Sequence, residues 1–118
     1  MNTVTLFAPE LMRRYVSSTN IETDLNYTKI HELADKFFSE TAEIAVVLFD
    51  RHTFEWAVTY TVRSGEYEGQ LVDVRIRVWS TLTSKNVIEM NRCEGDYSIF
   101  HRLFQDFAIM IKDNELTG

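Results

Sequence analysis

Val72-Asp73-Val74-Arg75-Ile76-Arg77-Val78-Trp79 alternates without a break between aliphatic side chains and polar or amphipathic ones. A period of two marks a strand with one face buried. Val72, Val74, Ile76 and Val78 are therefore expected to face a core, with Asp73, Arg75, Arg77 and Trp79 on the other side. The stretch before it has the same pattern, with Phe54, Trp56, Val58, Tyr60 and Val62 on one face and Glu55, Thr59 and Thr61 on the other. Between the two lies Ser64-Gly65-Glu66-Tyr67-Glu68-Gly69, polar with two glycines, the composition of a hairpin loop. Downstream, Thr81 to Lys85 reads as a second turn and Val87 to Arg92 as a last strand, with Ile88 and Met90 on one face. Upstream, Ile44 to Phe49 is apolar almost throughout, which suits a central strand.

Helical spacing flanks these strands. Over residues 20–38, Leu25, Ile30, Leu33, Ala34 and Phe37 recur at helical intervals, and Thr19 with Glu22 makes a capping box; Asn20 and Thr23 are alternative starts. Over 97–112, Phe100, Leu103, Phe104, Phe107 and Ile111 form a stripe behind Gly95 and a capping Asp96, with Lys112 complementing the dipole in the last turn. Strands joined by short turns pair antiparallel. The expected fold is α+β: a four-stranded antiparallel sheet with two helices on one face, in the order α-β-β-β-β-α, and no cleft for catalysis. Residues 1–118 read as a single domain, with an irregular lead-in over 1–18 and a core over about 20–112.

Composition narrows the function. With a formal net charge of -6, the chain as a whole gains nothing from counterion release on nucleic acid and is poorly suited to an anionic membrane. A single cysteine, Cys93, fits a reducing compartment, so nucleus and cytoplasm are the expected locations. The chain has no Gly-rich phosphate loop, no His-Arg-Asp or Asp-Phe-Gly kinase triplet, and no paired cysteines for zinc. No catalytic, cofactor or metal residue is assigned, and the chain is expected not to be an enzyme. His31 and His52 read as structural or solvated, His101 as a contact residue beside Arg102, and Cys93 as a small residue at a strand end. Phe100, Phe104 and Phe107 read as core, and Tyr67 and Trp79 as exposed contact candidates. Arg75 and Arg77 share a strand face, and Arg92 would join them in a basic strip, suited to an acidic patch on a partner, if the last strand lies alongside.

A strand ending in Arg92, then Cys93-Glu94-Gly95-Asp96, then Phe100-His101-Arg102-Leu103-Phe104, resembles the end of kinase-associated domain 1, in the version carried by checkpoint kinases. Met12-Arg13-Arg14-Tyr15-Val16 is similar to that family ahead of its first helix. The resemblance implies a non-catalytic C-terminal domain of a DNA-damage checkpoint serine/threonine kinase, folding back on the kinase domain of the same chain to autoinhibit it. Checkpoint adaptor proteins are the further partner class. The docking surface it implies is Arg13 and Arg14 with Arg92, Glu94, Asp96, His101 and Arg102. Other members bind anionic phospholipid through Lys/Arg patches, but His101, Gln105 and Asp106 stand here at helix positions often basic in the family, which disfavours membrane lipid and a nuclear-import signal. The alternatives are a lipid- or protein-binding module of another kinase and a free-standing small interaction protein. Oligomeric state is left open.

Overall fold

The computed structural model describes residues 19–82 and 85–117. Five strands and two helices follow in the order β1 (Asn20–Thr23), α1 (Tyr27–Glu40), β2 (Ile44–Asp50), β3 (Glu55–Thr61), β4 (Leu71–Ser80), β5 (Asn86–Glu94) and α2 (Tyr97–Thr117). The strands make one antiparallel sheet, ordered β1-β5-β4-β3-β2. The α+β class holds. The expected four strands and the order α-β-β-β-β-α do not, because an additional strand precedes the first helix.

That strand is Asn20-Ile21-Glu22-Thr23, which the sequence reading placed inside a helix. Ile21 and Thr23 point inward and are buried, opposite Ile88 and Asn86 of β5. Pairing there satisfies the outer edge of β5, and two β-branched side chains suit it. The helix starts later, capped by Asn26, whose Oδ1 accepts from the Lys29 amide at 2.8 Å. The Thr23 hydroxyl accepts from the Leu25 amide at 3.2 Å, and Asn86 Nδ2 donates to the Leu25 carbonyl at 2.8 Å, so β1 hands over to α1 at a pinned turn. A second correction concerns Ile44–Phe49, which runs along the outside of the sheet as β2 instead of through its middle.

The alternation of β3 and β4 sets the core. Trp56 stands opposite Ile76, Val58 opposite Val74, Ile76 opposite Met90 and Val78 opposite Ile88, all buried on one sheet face. Both helices cover that face, with Ile30, Leu33, Ala34 and Phe38 from α1 and Phe100, Leu103, Phe104, Phe107 and Ile111 from α2, in one cluster running from Ile21 to Ile111. Phe107 is the seam between helices. Its ring stacks on Phe38 at 6.1 Å and meets Phe37 edge-on at 5.3 Å, and Phe38 in turn stands edge-on to Trp56 at 6.0 Å.

Phe107→Ala should cost about 3–5 kcal/mol of unfolding free energy. The same truncation at exposed Leu116 should cost under about 0.5 kcal/mol. Urea denaturation of the two variants checks this.

Candidate interaction surface at the β5–α2 junction

At the end of β5 the chain turns sharply into α2. Gly95 makes the turn at φ +108°. A Cβ there would lie 2.5 Å from the Leu71 carbonyl oxygen and 2.8 Å from Val72 Cα, so glycine is required both by conformation and by the closeness of β4. Asp96 follows as the cap of α2. Its Oδ1 accepts from the Ser98 amide at 2.8 Å and the Ile99 amide at 3.1 Å, and from the Ser98 hydroxyl. The Ser98 hydroxyl, then the Ile99 amide, hold the Asp96 carboxyl below its ordinary 3.8.

Around this turn the structure gathers several of the expected site residues. Arg92 donates from NH1 to the Gly95 carbonyl at 2.9 Å and stands 6.0 Å from the Tyr97 ring. Tyr97 stacks on His101 at 5.9 Å, and His101 tilts against Phe104 at 6.4 Å. Glu94 ends β5 opposite Asp73, and Arg102 is exposed on α2. Arg92, Asp96 and His101 thus gather around the Tyr97 ring at one corner, whereas Glu94 lies on the helix-free side with Asp73 and Arg102 lines a groove beside Tyr60. Arg13 and Arg14 lie outside the described residues.

Arg75 and Arg77 lie elsewhere, on the sheet face that carries no helix. Arg92 continues the regular register opposite Val74, on the helix side, and the register shift just beyond it leaves Cys93 as the extra, exposed residue of β5. The expected three-arginine strip therefore does not form. Arg75 pairs with Glu55 at 3.6 Å. Arg77 lies 3.9 Å over the Trp79 ring, whose Nε1 donates to buried Glu89 at 3.0 Å. Trp79 is consequently half-buried, unlike Tyr67, which is exposed as expected. Phe100, Phe104 and Phe107 are core.

Three features escaped the sequence reading. One is an open groove of about 250 Å³ between the β3–β4 loop and α2, lined by Tyr60, Val62, Tyr67, Ser98 and Arg102 among others. Burial, then the carboxylates of Glu43 and Asp106, push the Tyr60 phenol above its ordinary 10.0. Another is an aromatic cluster in which His31 meets Phe49 at 4.7 Å and Trp56 at 5.8 Å, beside Phe54, held at φ +53° in the β2–β3 turn. The third is the exposed apolar run of β2. The positive φ of Phe54 had no sequence signal, the aromatic cluster and the β2 run were hidden by not knowing which strand was outermost, and the groove by not knowing where α2 passes the β3–β4 loop.

Among the described residues no group of three or more His, Cys, Asp or Glu is placed to hold a metal ion. Also among them, no helix is long and apolar enough to cross a membrane. No protein-family model matches the chain, and no curated protein matches it.

Gly95→Ala should cost about 1–3 kcal/mol from backbone conformation alone, with the Leu71 clash in addition, measured by urea denaturation. Because the Asp96 carboxyl is lowered by its native partners, its contribution is complete above 3.8 and disappears as pH falls through the depressed value. Asp96→Asn should therefore narrow the loss of thermal stability between about pH 6 and pH 3 relative to the unaltered chain.

Proposed function

We propose that this chain is a non-catalytic regulatory domain of the kinase-associated type, which docks on the kinase domain of its own polypeptide and restrains it, in a checkpoint serine/threonine kinase. The observation that carries the reading is the β5–α2 corner. The residues of the motif, Arg92, Gly95, Asp96 and His101, fall respectively on a strand end, a turn only glycine can make, a helix cap and the first turns of that helix. The corner presents a cation (Arg92), a carboxylate (Asp96) and an aromatic pair (Tyr97, His101) around one turn. Mixed charge of this kind suits a protein surface of complementary pattern better than a uniform polyanion.

A domain tethered to its target has a high effective concentration, so a small corner suffices for docking. Release is then a population shift, driven by whatever binds the undocked form alone. Lipid binding is the less favoured reading, since Arg75 and Arg77 are engaged by Glu55 and Trp79 and Arg92 points to the other side of the sheet.

Arg92→Glu in the polypeptide that carries the domain should raise basal kinase activity, by roughly tenfold for each 1.4 kcal/mol of docking lost. Unchanged activity with the domain still folded by circular dichroism would count against the proposal. The unaltered domain should not pellet with phosphatidylserine vesicles at low salt; pelleting would favour the lipid reading instead.

A further inference from the structure

The two outer strands of the sheet are built to opposite specifications. β1 is four residues long, with Asn20 and Glu22 on its open face, and Lys112 of α2 reaches over to donate to the Glu22 carbonyl. Short length, charge and a covering side chain are the usual devices that keep an outer strand from pairing with another chain. β2 has seven residues, Ile44-Ala45-Val46-Val47-Leu48-Phe49-Asp50, and from Ile44 to Phe49 carries neither charge nor proline. Val46 and Leu48 stand opposite Thr59 and Ala57 on the helix-free face, and Val47 and Phe49 stand opposite Val58 and Trp56 on the helix face. Their exposures are 47%, 66%, 37% and 36% respectively. A strand apolar on both faces is the pattern of a strand covered on both faces, and among the described residues β2 pairs with β3 alone, its other edge left open.

We infer that β2 pairs with β2 of a second copy, antiparallel about a two-fold axis at Val47, joining two sheets into one. The sequence of the strand is self-complementary in that register. Val46 comes opposite Leu48 of the second copy, twice, closing an apolar cluster on the helix-free face. Val47 comes opposite its own counterpart on the helix face, beside the two Phe49 rings. Shifting the axis by one residue to Leu48 would instead set Asp50 against Val46, inside the regular ladder, whereas the axis at Val47 sets Asp50 against Ile44, beyond its end. The register shift between Ile44 and Val46 ends regular pairing at Ala45, which limits the ladder to its central residues. Such an interface lies at the small end of specific association, with a dissociation constant on the order of 10 µM. It is a two-fold, closed arrangement, so it stops at a pair.

The test is sedimentation velocity of the whole chain across about 1–500 µM. A monomer passing to a dimer supports the inference, provided that Leu48→Lys weakens association about tenfold or more. Leu48 is mostly exposed, so this variant should melt at the same temperature as the unaltered chain. A chain that stays monomeric over the whole range overturns the inference. So does a dimer indifferent to Leu48→Lys, or a monomer whose β2 amide resonances respond only to an added extended peptide.

Discussion

The fold depends on the meeting of Phe38 and Phe107 above Trp56. Both helices contribute to covering one face of the sheet. α1 supplies Ile30, Leu33, Ala34 and Phe38, and α2 supplies Phe100, Leu103, Phe104, Phe107 and Ile111. The stacked rings at the seam let the two helices lie side by side with no solvent between the core-facing stripes, and Trp56, wholly buried, fills the sheet beneath them. Fully burying an aromatic side chain contributes about 1.5–3 kcal/mol. That gain is of the same size as the cost of about 1–3 kcal/mol for leaving the Trp56 indole N–H without an acceptor.

Once both helices occupy one face, the ends of the sheet determine what remains outside. α2 must leave β5 and immediately cross back over β4, and Gly95 is where that is done, within 2.5 Å of the Leu71 carbonyl for any added Cβ. The capping carboxylate of Asp96 and the Arg92 hydrogen bond to the Gly95 carbonyl are consequences of the same reversal, because each satisfies a backbone group freed by it. The exposed corner is therefore rigid. A preorganised surface loses less conformational entropy on docking than a loop would.

The sequence was most legible where periodicity was long. β3, β4 and α2 were each readable from their apolar spacing, and so was the Asp96 cap. Legibility failed where a short segment had two compatible periods. Ile21 and Thr23 are two apart, which is strand spacing, but Thr19 and Glu22 also form a capping box, and only the free edge of β5 decides between them. The face of Glu94 could not be read either. One extra residue at Cys93 inverts every later side chain, and nothing in Asn91-Arg92-Cys93-Glu94 announces a bulge. Arg92 itself was legible, because it stands two residues beyond Met90 and shares the face of Ile88 and Met90, so grouping it with Arg75 and Arg77 ran against the alternation of its own strand.

The misplacement of β2 has a different cause. Its composition was read as that of a central strand, and that reading is a statement about neighbours, which one chain can fail to provide. Among the described residues of one copy, β1 takes the place beside β5 and leaves β2 outermost. Placing β1 there buries Ile21 and Thr23 and gives Lys112 a carbonyl to hold, so the blunted outer strand is the one adjacent to α2. The unblunted one is adjacent to α1, whose His31 and Tyr27 pack on Phe49 and Phe54 without reaching past β2. The corner proposed for docking is an end of the sheet, and β2 is its side. Partners of different kinds could therefore occupy the two surfaces at once, and a pair of copies joined through β2 would leave both corners open.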